Sequence, residues 1–131
     1  MESAAARRTA WVTLVGILFL IGGGFNVIWG LAAVGVSLGG TNATVLGDVS
    51  IRELEGIGII GIVVGALQIF AGAGILVRSP IAREVGLILV VVAVLLNFGY
   101  HRVLDGWAWS GLVVNLAIII ILTLRREEFR Y

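Results

Sequence analysis

The sequence contains no cysteine, no lysine, one histidine and one proline. The absence of cysteine excludes disulfides, thiol catalysis, iron–sulfur clusters and thiolate zinc sites. A single histidine without clustered acids makes a poor metal site. An intramembrane hydrolase would need a nucleophile–base pair or a metal, and the chain shows neither pattern. We therefore expect no enzyme activity, no catalytic residue, no metal site and no cofactor.

Charge is also scarce. Charged residues make up 13% of the 131 residues, whereas 60% are hydrophobic. A soluble domain usually carries about 25% charged residues, and a chain this small could not hide so much apolar surface in a water-soluble core. No basic run with interleaved aromatics indicates nucleic acid as a partner. The composition therefore predicts a protein whose surroundings are lipid, and it is typical of a GC-rich bacterial genome.

Four apolar runs follow one another along the chain. They cover about residues 10–36, 56–77, 81–100 and 106–124, and the largest loop lies at 39–55. Crossing the hydrocarbon core takes about 20 helical residues, which each run provides. The runs predict an all-α, integral membrane four-helix antiparallel bundle that occupies residues 1–131 as a single domain. Arg83 and Glu84, at the start of the third run, are expected to snorkel to the headgroups.

The arginines predict the orientation of this bundle. Seven of the nine lie at the chain ends or near the link between runs two and three, and only Arg52 and Arg102 lie on the opposite side. Basic residues in short loops stay cytoplasmic, so we expect both termini on the cytoplasmic side of a bacterial plasma membrane. A cleaved signal peptide is the less favoured alternative, because the first run far exceeds a core of roughly 7–15 residues. The last residues, 125–131, are interpreted as an anchor whose arginines attract anionic lipid.

The 39–55 loop allows two local structures. Ser50 and Glu53 match a capping box, which would start the second helix near Ile51. Weak alternation over residues 44–51 would instead fit a small hairpin. We favour the cap.

Glycines recur at seven-residue intervals in the first two runs, and each run carries an amide side chain three residues after its middle glycine. A seven-residue period keeps one stripe facing a partner helix, and glycine lets two backbones approach closely. We expect the stripes to meet about a pseudo-two-fold axis, as in inverted repeats, although chance alignment is an alternative. The predicted packing residues are Gly16, Gly23, Gly30, Gly58, Gly61, Gly65 and Gly72.

Three amides, Asn26, Gln68 and Asn115, fall near the middle of their runs. An unpaired amide in hydrocarbon costs several kcal/mol. We therefore predict that Asn26 and Gln68 meet across the glycine stripes, with Asn115 close by. The favoured interpretation is helix packing. The alternative is a small polar pocket that holds a ligand headgroup or conducts a solute.

A second polar group is predicted at the outer end of the bundle. It is interpreted as an interfacial loop with solvated charges, and a proton-sensitive element built on the histidine is the alternative. Its members are Asn97, Tyr100, His101, Arg102 and Asp105.

Two segments resemble a known family. Residues 25–31, FNVIWGL, are similar to the Phe-Asn-x-Ile-x-Gly-Leu segment of a family of small four-helix membrane proteins common in actinobacteria, the domain of unknown function numbered 7144. Residues 78–86, RSPIAREVG, resemble its Arg-x-x-Ala-Arg-x-x-Gly joint, and Asn97 and a tryptophan opening helix four also fit. The resemblance spans most of the chain and implies the four-helix topology without implying an activity.

The chain departs from that family at two places. Residues 55–59, EGIGI, stand where relatives often have tryptophan and histidine, and the neutral Asn115 stands where they often carry an acid. The second exchange argues against proton handling.

These patterns predict a non-enzymatic structural or accessory membrane protein. Its expected partners are membrane lipid and either further copies of itself or a larger membrane complex. The alternative is an oligomeric minimal transporter or channel for a small neutral solute. Proton coupling would normally need an acid or a histidine within the membrane, and the apolar runs place none there.

Overall fold

The computed structural model describes residues 4–39, 50–99 and 101–129. It contains four α-helices: α1 (Ala4–Leu38), α2 (Ile51–Leu76), α3 (Pro80–Gly99) and α4 (His101–Leu124). A short 3₁₀ turn, η1 (Arg126–Phe129), follows α4. The described residues include no β-strand. The prediction of an all-α chain with four helices is therefore confirmed.

The helices extend beyond the apolar runs that predicted them. Helix α1 begins at Ala4 rather than near residue 10, and α4 begins at His101 rather than at 106. Charged residues end a hydrophobic run, but alanine, arginine and glutamate are good helix formers, so backbone hydrogen bonding continues past them. The interfacial loop predicted between the last two helices is therefore wrong in its local structure, because α3 and α4 occupy its described residues.

The start of α2 confirms the predicted capping box. The backbone N–H of Glu53 donates to the Ser50 hydroxyl at 3.2 Å, and the backbone N–H of Ser50 donates to the Glu53 carboxylate at 2.9 Å. Both groups would otherwise be among the unpaired donors of a helix N-terminus. The alternative hairpin falls mainly on residues 44–49, which lie outside the described residues.

Replacement of Ser50 by alanine is expected to cost about 0.5–2 kcal/mol of helix stability, the usual value of a lost N-cap. Hydrogen exchange of the amides in the first turn of α2 would report the loss. Ser37→Ala is the matched control, since the Ser37 hydroxyl makes only a long 3.4 Å contact with Glu55. Equal exchange rates in the two variants would contradict the capping role.

The turn between α2 and α3 is tightly hydrogen-bonded. The N–H of Ser79 donates to Gly74 O at 2.9 Å, and the N–H of Arg78 donates to Ile75 O at 3.0 Å. This is the Schellman arrangement, in which the residue after the C-cap is usually glycine in the left-handed region. Here that residue is Arg78, at φ 61°. Ser79 also accepts the Ala82 N–H at 3.3 Å, and Pro80 opens α3 at a position that suits proline.

The buried core lies toward one end of the bundle. It collects residues from the first half of α1, the end of α2, the first half of α3 and the end of α4, which places successive helices antiparallel. Helices α1 and α2 share the most extensive interface. The cluster consists of Val12, Val15, Phe19, Ala71, Ile75, Leu89, Val90, Ile118, Leu122 and Phe129.

Two of the described helices are long and apolar enough to cross a membrane. The segments are Ala10–Gly35 in α1 and Ile51–Leu76 in α2. A shorter apolar stretch, Leu112–Leu124, ends α4. The sequence predicted four membrane crossings. Among the described residues, two helices are long and apolar enough to cross a membrane, judged by length and composition.

Candidate functional site

Helices α1 and α2 touch through their glycines. We call the six residues at seven-residue spacing the glycine seam: Gly16, Gly23 and Gly30 on α1, and Gly58, Gly65 and Gly72 on α2. A methyl group at Gly23 would lie 2.6 Å from the carbonyl oxygen of Gly65, and one at Gly65 would lie 2.6 Å from that of Gly23. The two backbones are therefore in direct contact, and a side chain at either position would force them apart.

The glycine seam is internally symmetric. Each seam glycine of α1 corresponds to the seam glycine of α2 that lies 42 positions later, and the contacts repeat in the opposite sense. For example, a methyl group at Gly23 would meet the backbone N of Ile69 at 2.9 Å, and one at Gly65 would meet that of Val27 at 2.8 Å. The two-fold axis passes through the Gly23–Gly65 contact. Antiparallel helices with matching sequences produce this arrangement, because rotation about the axis exchanges one helix for the other.

The structure brings Asn26 and Gln68 together beside this axis. The Asn26 Nδ2 donates to Gln68 Oε1 at 2.7 Å. Asn26 is half-buried, and Gln68 is 8% exposed. Each is the other's counterpart in the repeat, so the hydrogen bond joins two symmetry-related positions. Pairing lowers the penalty of placing two amides between apolar helices, because it satisfies one donor of Asn26 and the acceptor of Gln68.

Two predicted members of this region behave differently. A methyl group at Gly61 would come no closer than 3.4 Å to any neighbouring atom, which is ordinary van der Waals contact, so Gly61 lies beside the seam without requiring glycine. Asn115 lies half-buried on α4 and takes no part in the Asn26–Gln68 hydrogen bond. The seven-residue spacing marks the tight contacts, whereas the four-residue spacing of Gly61 and Gly65 does not.

The amide pair should be energetically coupled. Asn26→Leu and Gln68→Met each leave one buried amide without its partner, whereas the double variant removes both. We expect a coupling free energy of about 0.6–2 kcal/mol, the range for hydrogen bonds between membrane helices. Unfolding in mixed micelles with increasing denaturing detergent would measure it. Asn115→Leu combined with Gln68→Met is the control cycle, and an equal coupling there would refute the specific bond.

The predicted outer polar group is only partly described. Asn97 lies in α3, and His101, Arg102 and Asp105 lie in the first turns of α4. Tyr100 and the side chains of the other four lie outside the described residues. Whether these side chains come together therefore stays a prediction.

The opposite end of the bundle holds a polar cluster that the sequence did not indicate. Arg83 is 6% exposed, so the prediction that it snorkels outward is wrong. Its Nε donates to the carbonyl oxygen of Leu122 at 2.8 Å, and its guanidinium pairs with Glu84. The last carbonyls of a helix lack internal partners, and a cation there also suits the helix dipole. Arg83 on α3 thus caps the C-terminus of α4.

The C-terminal segment folds back onto the same end. The aromatic ring of Phe129 is buried in the core cluster, and Glu128 pairs with Arg78 Nη1 at 3.3 Å. The other carboxylate oxygen of Glu128 is buried and finds no partner among the described residues. The structure thus docks η1 on the bundle, whereas the interpretation of residues 125–131 as an anchor that attracts anionic lipid stays a prediction. The phenylalanine among charged residues was the one signal that could have indicated docking.

Comparison with known proteins gives one match. Residues 11–127 match the family described as "Domain of unknown function (DUF7144)". Searches of curated proteins and of solved structures found no similar protein. The matched region includes the whole glycine seam, both paired amides and Arg83. Because the match covers most of the chain, the protein belongs to the DUF7144 family.

Proposed function

We propose that this protein is a multi-pass membrane protein with a non-catalytic, structural or accessory role. Its membrane location is supported by the surfaces of the helices. Only 22% of the most apolar stretch of α1 and 28% of that of α2 is buried, whereas a core helix of a soluble protein is mostly buried. Soluble monomers rarely expose large contiguous apolar patches. Every helix exposes large apolar side chains, for example Ile28, Phe70, Ile88 and Ile120.

The proposed orientation places both termini in the cytoplasm of a bacterial cell, with four crossings of the plasma membrane. It is supported by the arginine distribution. The turn that carries Arg78 and the C-terminal turn η1 lie at one end of the bundle, since Arg78 and Glu128 pair there. Because the chain has no cysteine of its own, a single introduced cysteine reports which side of the membrane its position faces. We expect Glu55→Cys to react with an impermeant maleimide in intact cells and Glu127→Cys to react only after permeabilisation.

One observation carries the proposed role: the Asn26–Gln68 bond joins the two amides to each other across a closed seam. In a conduit, the central polar groups would face a passage and offer their hydrogen bonds to the solute. Here the backbones on either side of the bond are in contact at Gly23 and Gly65, so no passage runs between α1 and α2. The pair holds the helices together, as expected of a rigid packing element.

The proposed partners are lipid together with further copies of the chain or a larger membrane complex. Helices α1 and α2 pack against each other through glycines, and large apolar side chains on every helix stay exposed and available for such contacts. Purification in mild detergent, followed by mass measurement of the intact particle, tests this. We expect a particle with a fixed ratio of this chain to itself or to one partner. A free monomer in every mild detergent would refute an accessory role.

A flux assay separates this role from transport. Proteoliposomes containing the wild-type chain should be no more permeable to small neutral solutes than empty liposomes. Asn26→Leu should not alter the rate, and Gly24→Ala serves as the structural control because a methyl group there meets nothing within 4 Å. Saturable uptake that Asn26→Leu abolishes and Gly24→Ala preserves would overturn the proposal in favour of a transporter.

A further inference from the structure

The C-terminal turn η1 is joined to α4 by a single residue, Arg125, and docks through two side chains. Phe129 is 3% exposed and contributes to a core cluster drawn from all four helices. Glu128 reaches back to Arg78 in the α2–α3 turn, 50 residues earlier in the chain. The turn is therefore a short clasp over the end of the bundle, fixed by one apolar anchor and one ion pair.

The ion pair between Arg78 and Glu128 leaves hydrogen-bonding groups of both side chains unused. The Arg78 side chain is 36% exposed and contacts Glu128 through Nη1 alone. The second Glu128 oxygen is buried without a partner among the described residues, and burial of an unsatisfied carboxylate oxygen is unfavourable. Undocking would return that oxygen to water. The docked state is thus held mainly by Phe129, with the ion pair as the adjustable contact.

Arg78 also suits a different ligand. A guanidinium presents a planar fork of donors that matches phosphate in a two-point contact, whereas Glu128 takes only one of its nitrogens. The backbone of Arg78 adopts φ 61° inside a hydrogen-bonded turn, which fixes where the side chain begins. Arg125, which joins α4 to η1, and Arg126, the first residue of η1, add positive charge near the same end.

We propose that residues 126–129 form a releasable clasp, and that an anionic phosphate competes with Glu128 for Arg78 and frees the clasp from the bundle. The phosphate is that of an anionic lipid or of a soluble ion. The lipid form rests on the proposed membrane location, because negative charge concentrates at the cytoplasmic leaflet. Release exposes Phe129 and uncovers the apolar core at this end.

Spin-label distances in the full chain test the proposal. Glu127→Cys and Ile81→Cys place labels on exposed positions of the clasp and of α3. In detergent micelles the wild-type background should give mainly one short distance. Arg78→Gln should increase the long-distance population about two- to fivefold, the effect of losing a partly exposed ion pair. Phe129→Ala should make the long distance dominant, and Arg52→Gln, at an exposed arginine of α2, should leave the distribution unchanged.

A second label pair, Ile21→Cys with Phe70→Cys, reports the α1–α2 packing, since both positions are exposed on those helices. It should not change in any variant. If it shifts together with the first pair, the clasp does not move independently, and the proposal is wrong. The micelle comparison does not depend on insertion in cells, so it can fail or succeed separately from the proposed location.

The source of the phosphate is distinguished in vesicles. The chain labelled at Glu127→Cys and Ile81→Cys, with no other change, is measured in phosphatidylcholine, in phosphatidylcholine mixed with phosphatidylglycerol, and in phosphatidylcholine with inorganic phosphate in solution. Release only with phosphatidylglycerol assigns a lipid, and equal release with inorganic phosphate assigns a soluble anion. Both effects should disappear in Arg78→Gln, which is already released to that extent. No change under either condition would overturn the competition.

Discussion

Gly23→Ala should lower the free energy of unfolding by about 1–3 kcal/mol, the usual cost of inserting a methyl group into a packed contact. The added carbon would lie 2.6 Å from the Gly65 carbonyl oxygen and 2.9 Å from the Ile69 backbone N. Both atoms belong to the backbone, so no side-chain rotation can make room. The helices must separate, and separation weakens the neighbouring contacts along the seam as well as the Asn26–Gln68 bond.

The symmetry of the seam makes this prediction sharper. Gly65→Ala should cost about as much as Gly23→Ala, because the two positions exchange under the two-fold axis. The double variant should cost less than the two single costs added, since one separation of the helices admits both methyl groups. Unfolding in mixed micelles measures all three.

The neighbouring glycines are matched controls for this series. A methyl group at Gly22 or at Gly24 meets nothing within 4 Å, and alanine is the better helix former by roughly 0.5–1 kcal/mol. Gly22→Ala and Gly24→Ala should therefore leave stability unchanged or raise it. If Gly23→Ala were no more harmful than these variants, the seam would not be a close contact.

Arg83→Met should lower the free energy of unfolding by about 1.5–3 kcal/mol, the usual worth of a hydrogen bond to a charged group. Methionine preserves most of the buried length but leaves the Leu122 carbonyl oxygen, now accepting from Nε at 2.8 Å, without its donor. Loss of the positive charge also removes a favourable interaction with the α4 dipole. Hydrogen exchange should show the last turn of α4 opening first.

Two variants separate the contribution of the hydrogen bond from Arg83 to the Leu122 carbonyl oxygen from that of the Arg83 charge. Glu84→Gln removes the ion-pair partner of Arg83, but the Glu84 side chain is 64% exposed, and exposed pairs contribute about 0–1 kcal/mol. Arg83→Lys keeps the charge without the planar fork and should recover part of the loss. An effect of Glu84→Gln as large as that of Arg83→Met would show that the ion pair, rather than the carbonyl cap, matters.

Much of the site was predictable because it depends on spacing along a helix. The seven-residue glycine interval and the amides that follow Gly23 and Gly65 lie within single helices, where 3.6 residues per turn fix which side chains share a face. Once two such helices run antiparallel, matching stripes can meet in only a few ways. The Ser50–Glu53 cap was predictable for the same reason, since both partners lie within one turn.

The tertiary structure alone decided which contacts join residues far apart in the chain. From the sequence, Arg83 was expected to snorkel to the headgroups, and the charged neighbours of Glu128 indicated no distant partner. Their partners, the Leu122 carbonyl oxygen and Arg78, lie 39 and 50 residues away. Folding brought them together by packing α3 against α4 and turning η1 back onto the core. The sequence by itself determined four apolar helices and their glycine stripe, because these follow from local periodicity. The buried arginine and the docked C-terminus depend on long-range packing, which no local pattern encodes.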